Sequence, residues 1–104
     1  MKANKELEKE DILTFLATQK EDFFERFQLV KLGIFGSFAT GTAAEASDID
    51  LLVEFVPHTE NLHQKKKTLK AIVESRFHRK VDVCREKYLK PYFREQVLNS
   101  AIYV

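Results

Sequence analysis

GSFATGTAAEASDIDLLVEF, residues 36–55, decides how this chain folds. It joins a Gly-Ser turn to an apolar run that carries two carboxylates one residue apart. Successive side chains of a strand point to opposite faces, so Asp48 and Asp50 project from one face while Ile49 and Leu51 point to the other. Residues 29–35, LVKLGIF, read as a strand that delivers the chain to Gly36 and Ser37. A glycine there lets backbone approach a ligand closely, and amides at the start of a helix suit phosphate oxygens. Two acids on one edge can share a divalent cation, and cation plus phosphate points to nucleotide chemistry.

Working outward, residues 4–27 are helix-like, with Ile12, Leu13, Leu16, Phe23, Phe24 and Phe27 at three-to-four spacing and a possible break near residues 18–20. In the first strand Val30, Leu32 and Ile34 alternate with Lys31, Gly33 and Phe35. The second strand covers residues 48–55 and stops before Pro57. Asn61 is placed to cap a helix reaching Phe77, whose apolar stripe is Leu62, Leu69, Ile72, Val73 and Phe77 and whose Lys65, Lys66, Lys67 and Lys70 stay wet. A third strand at 80–85 is followed by a helix at 88–98 with Pro91 in its first turn, then the apolar tail 101–104. Alternation of helices and strands predicts an α/β (α+β) class with a small mixed sheet covered by helices, and residues 1–104 as one domain.

Composition narrows the function classes. The chain has 104 residues, 44% of them hydrophobic, and a formal net charge of +1. Residues 1–56 hold 6 basic and 11 acidic side chains, and residues 57–104 hold 11 and 5. That asymmetry suits either an acidic partner or a solvated helix face; since a basic footprint for the whole domain is missing, no direct nucleic-acid binding is expected. A single cysteine, Cys84, excludes an internal disulfide, and the N-terminus lacks the apolar core of a signal peptide, so a cytoplasmic protein is expected. No apolar run approaches the ~20 residues that cross a bilayer, so no membrane partner is expected.

Asp48 and Asp50 occupy strand positions that favour apolar or β-branched side chains. Their repulsion needs an offset, which Mg²⁺ bridging to substrate phosphate would provide; a strand-end turn former and an exposed acid are the plainer alternatives. Asp82 shifts the balance, because Asp82 and Cys84 share one face of the third strand and an adjacent strand would bring Asp82 beside the pair. Its expected role is metal ligand and base toward an acceptor hydroxyl; an exposed acid on an edge strand is the plainer alternative. Cys84 is then a small buried neighbour. His58, His63 and His78 lack zinc spacing and read as surface residues. Tyr88, Tyr92 and Tyr103 read as core or interface.

Gly36-Ser37, then Ser47-Asp48-Ile49-Asp50-Leu51-Leu52-Val53, then Asp82 on a later strand, resembles the signature of the polymerase β-like nucleotidyltransferase superfamily. In its minimal, single-domain (MNT) branch the resemblance runs through nearly the whole chain. It implies the nucleotidyltransferase fold and transfer of AMP from ATP to a hydroxyl. Gly36, Ser37 and Ser47 would meet the nucleotide, and Asp48, Asp50 and Asp82 would act in catalysis and hold two Mg²⁺ ions. It further implies a HEPN-domain ribonuclease toxin as partner, silenced by AMP on a tyrosine, the chain acting as antitoxin of the pair. One departure is Thr40, where many members carry arginine; the lost guanidinium keeps open a second expectation, a catalytically weak antitoxin that blocks its partner sterically. Tyr92, Phe93, Ile102 and Tyr103 are candidate docking residues or, alternatively, close the domain's own core.

Overall fold

The computed structural model describes residues 7–104. Its elements are α1 (Lys9–Thr18), α2 (Lys20–Phe27), β1 (Leu29–Phe35), α3 (Gly36–Thr40), β2 (Ile49–Phe55), α4 (Leu62–Phe77), β3 (Val81–Arg85), a 3₁₀ turn (Glu86–Tyr88), α5 (Pro91–Ser100) and β4 (Ile102–Tyr103). The sheet order is β3-β2-β1-β4. β1 runs antiparallel to β2 and β4, and β2 runs parallel to β3, so the sheet is mixed as expected. The mixed α+β class therefore agrees with the alternating helix and strand patterns.

One face of the sheet carries the core. Ile49, Leu51, Val53 and Phe55 of β2 meet Leu29, Leu32 and Ile34 of β1, Val81 of β3, Leu69 and Val73 of α4, and the buried residues Ile12, Leu16, Phe23 and Phe27 of α1 and α2. Phe15 links these layers edge-on, 6.1 Å from the Phe23 ring and 5.5 Å from the Phe77 ring. The predicted break in the first helix falls at Gln19, so α1 and α2 are separate helices. Residues 4–6 of that expected helix lie outside the described residues.

Three local expectations need correction and a fourth is narrowed. Val30 does not join Leu32 and Ile34 in the interior: β1 is irregular between Leu29, which pairs Phe55, and Lys31, which pairs Glu54, and Val30 is left 49% exposed. An irregularity of this kind shifts side-chain alternation by one position. Asn61 precedes α4 but makes no side-chain cap bond, because its backbone is left-handed, at φ 60. The last helix begins at Pro91, not at residue 88, since residues 86–88 form a separate 3₁₀ turn. Of the two places expected for Tyr88 and Tyr92, core or interface, the core is excluded, since they are 67% and 84% exposed.

The C-terminal tail supplies β4, an edge strand too short to announce itself by periodicity. Tyr103 pairs Gly33 and the Val104 amide donates to the Leu32 carbonyl at 2.9 Å. Gly33 permits this approach: a Cβ there would overlap the Ile102 carbonyl oxygen and sit 2.9 Å from the Tyr103 Cα. Ile102 packs against the core, the alternative raised for it, while Tyr103 donates to a Glu86 carboxylate oxygen at 2.6 Å. Glu86 also takes the Lys31 ammonium at 3.0 Å and faces Arg94 at 3.8 Å. The Tyr103 hydrogen bond, with Lys31 and Arg94 behind it, holds the Glu86 carboxyl below the usual range, and burial together with Glu86 pushes the Tyr103 phenol up.

Two predictions follow from this closure. Gly33→Ala should lower stability by about 1–3 kcal/mol in urea unfolding, because the obstacle is strand backbone and cannot rotate away; unchanged stability would mean that β4 does not seat on β1. Glu86 contributes stability that is present above its unfolded pKa of 4.5 and is lost as pH falls through its lower folded value. Glu86→Gln should therefore flatten the acid limb of a Tm-against-pH curve below about pH 4.5.

Candidate active site

The second face of the sheet carries the acids. Parallel pairing of β2 with β3 sets Asp50 opposite Asp82 and Leu52 opposite Cys84. Paired residues of neighbouring strands lie about 4.8 Å apart with side chains on the same face. Asp48 stands one residue before β2, half-buried at the end of the loop from α3. The predicted convergence of the third strand on the pair is therefore met at Asp50 and Asp82.

The charges feel each other. The Asp50 carboxyl is pushed up to about 6, first by burial and then by Asp82 and Asp48. Burial, Asp50 and Asp82 likewise push the Cys84 thiol up, with Lys66 opposing. Cys84 thus adjoins the acids as expected, half-buried beside them.

Gly36 abuts this cluster from the other strand. β1 pairs Phe35 with Asp50, so the next residue turns over the carboxylate. Its φ is +76, and a Cβ there would overlap Asp50 Oδ2 and lie 3.2 Å from Cγ. Only glycine meets both demands, the left-handed backbone and the empty space. Ser37 follows in α3, and its carbonyl accepts the Thr42 amide at 3.0 Å. Thr40 folds its hydroxyl back onto the Gly36 and Ser37 carbonyls, each 3.3 Å away, and lies 2.9 Å from the Thr42 hydroxyl. It tightens the turn and brings no cation to it.

Ser47 is half-buried, and its hydroxyl oxygen accepts the Ala44 amide at 2.8 Å while its own amide donates to the Ala44 carbonyl at 3.0 Å. These bonds close a small turn just before Asp48. Arg79, one charge of the basic second half, donates to the Ser47 carbonyl at 3.0 Å and to the Ala44 carbonyl at 3.4 Å, contacts that no motif announces. Its guanidinium lies 5.4 Å from the centre of the Phe38 ring. The faint signal available was its place two residues before a strand carrying an acid. His58, His63 and His78 are exposed, as expected, and His78 ends α4 in a left-handed conformation.

Among the described residues no three His, Cys, Asp or Glu side chains are gathered into a ready metal cage. The donor set nonetheless suits a hard cation. Asp48, Asp50 and Asp82 offer oxygen alone, and the repulsion that lifts Asp50 is what a divalent ion would relieve.

Known proteins resemble this chain over most of its length. Residues 16–104 match the family described as "Nucleotidyltransferase domain". The protein adenylyltransferase MntA of Thermococcus cleftensis is 33% identical over 97 residues, spanning 91% of this chain and 94% of its own. A Methanocaldococcus jannaschii protein assigned as a protein adenylyltransferase is 28% identical over 95 residues, spanning 90% and 95%. A solved structure assigned as a minimal nucleotidyltransferase superposes with a TM-score of 0.68 at 33% identity, covering 96% of this chain and 97% of that one. A toxin–antitoxin structure with AMP-PNP gives 0.63 at 20% identity, covering 83% and 69%, a likeness of fold alone.

The raised Asp50 carboxyl has a measurable consequence. In the folded state it binds a proton more tightly than when unfolded, so it lowers stability as pH rises from 3.8 through about 6. Asp50→Asn should raise the stability of the metal-free protein at pH 7–8 by about 1–2 kcal/mol, a figure already reduced for partial exposure. Adding Mg²⁺ should narrow that gap in thermal unfolding. A variant less stable than the parent at pH 8 would contradict the crowding of these charges.

Proposed function

Because the chain belongs to the nucleotidyltransferase domain family, we propose that it transfers AMP from ATP to a hydroxyl of a partner protein, a tyrosine of a HEPN-domain ribonuclease toxin, and so acts as the antitoxin of the pair. One observation carries the reading: Asp50 and Asp82 stand at the same level of adjacent parallel strands, beside a glycine that leaves room for the Asp50 carboxylate. The adenylyltransferase named in Thermococcus cleftensis supports the choice of protein acceptor, and the AMP-PNP bound by a protein of the same fold supports the nucleotide. No helix among the described residues is long and apolar enough to cross a membrane, which accords with a cytoplasmic pair.

In this reading residues 1–104 act as one catalytic domain. Asp48, Asp50 and Asp82 would hold two Mg²⁺ ions, which when bound neutralise charge developing on the phosphates. Gly36 and Ser37 present backbone to the triphosphate, and Ser47 keeps a hydroxyl proton with which to reach it. Asp82, on the outer strand of the three that form the site, faces the acceptor. It takes the acceptor's proton as the hydroxyl oxygen forms its bond to the α-phosphorus. The bond from that phosphorus to the bridging oxygen breaks, and pyrophosphate leaves. Beside the proton that Asp82 accepts, positioning and charge neutralisation are the main part of the protein's contribution to such a transfer.

The test uses the purified chain, ATP labelled at the α-phosphate, Mg²⁺ and a HEPN-domain protein from the same genome. Label should appear on a partner tyrosine, and Asp48→Asn and Asp50→Asn should each lower the rate by roughly a hundredfold or more. Labelling at the parent rate in both variants would refute the assignment. Thr40 keeps the second reading in view: an Asp48→Asn chain that still neutralises the partner without labelling it would make the mechanism steric blockade.

A further inference from the structure

Asp50 and Asp82 take their positions from the strand ladder, but Asp48 does not. It ends a loop that leaves α3 at Gly41 and has no regular structure until Ile49. The Ala44–Ser47 turn closes on itself, and Ala43 packs against the core. Among the described residues, the hydrogen bonds that tie 43–48 to the rest of the molecule are the two from Arg79 to the Ser47 and Ala44 carbonyls. On the other side of Asp48, the Ile49 amide donates to the Lys80 carbonyl at 2.9 Å. Residues 79 and 80 thus grip the backbone on both flanks of Asp48, and they immediately precede the strand that carries Asp82.

Resting on the reading of Asp48 as a cation-binding acid, we infer that Arg79 is a positioning residue that fixes Asp48 against Asp82 and ties both to the Gly36–Thr40 turn through the face of Phe38. The side chain suits the task. A guanidinium is planar, stays charged at any working pH, donates from several N–H groups at fixed angles and stacks on an aromatic ring, so one residue can hold a carbonyl pair and a ring together. Hydrogen bonds from a charged donor are shorter and stronger than neutral ones. Phe38 is 3% exposed, so it gives the guanidinium an immobile support. A lysine has the charge without the fork or the plane.

The test compares the full chain with Arg79→Ala, Arg79→Lys and Asp48→Asn, using Mn²⁺ alone as probe. In Arg79→Ala, hydrogen exchange across residues 44–49 should quicken tenfold or more while β1 and α4 keep their protection. Mn²⁺ affinity followed by electron paramagnetic resonance should fall at least fivefold. In AMP transfer, kcat should fall more than KM for ATP rises. Arg79→Lys should lie between the parent and Arg79→Ala, and it decides the matter by the same readouts if the alanine variant does not fold. Parent-like exchange and parent-like Mn²⁺ affinity in the Arg79 variants, alongside weakened binding in Asp48→Asn, would overturn this inference alone. Undiminished Mn²⁺ binding in Asp48→Asn would overturn the reading of the acids and this inference with it.

Discussion

Two carboxylates held one strand spacing apart repel each other, and the parallel register of β2 and β3 imposes that distance on Asp50 and Asp82. The register is set by the opposite face. Ile49, Leu51 and Val53 of β2 and Val81 of β3 have no exposed surface, and they lock the strands to α1, α2 and α4. A slip of one residue would drive the acids into that core and lift the aliphatic side chains into solvent, an exchange that costs far more than the repulsion. The pleat therefore divides labour: alternate positions supply stability so that the positions between them can carry unfavourable charge.

Two other acids show what compensation looks like. Glu54 takes the Arg85 guanidinium at 3.0 Å and the Lys87 amide at 2.7 Å, and Glu86 takes Lys31, Arg94 and Tyr103. Both carboxyls sit below their ordinary range, whereas that of Asp50 sits above it. Among the described residues no side-chain cation pairs with Asp48, Asp50 or Asp82. Environment thus sorts acids that staple the fold from acids free to engage a ligand, and the boundary runs along the strands between Asp50 and Glu54. Such a division is the usual mark of a working site, where stability is given up to keep charge available.

Most of the frame could be read from the chain because its long elements have strong periods. β2 spans Ile49–Phe55 against an expectation of 48–55, and α4 spans Leu62–Phe77 where the stripe from Leu62 to Phe77 placed it. The pairing of Asp50 with Asp82 was legible because alternation put the acids on one face of their strands. What escaped lay in contacts that leave no period. β4 is two residues long and held by its approach to Gly33, and the exposure of Val30 follows from a local irregularity rather than from hydrophobicity. Arg79 escaped for a related reason: its partners are backbone carbonyls 32 and 35 residues away, and carbonyls have no sequence signature.

The three acids also differ mechanically, and that difference bears on how the site can respond to a ligand. Asp50 and Asp82 share the stiffness of a ladder backed by fully buried side chains, so their separation is set before anything binds. Asp48 hangs from a loop whose outward hydrogen bonds come from one arginine, and loop segments with few tertiary bonds open at lower free energy than strands. In the proposed reading a cation would meet two carboxylates placed by the ladder and a third whose place depends on Arg79.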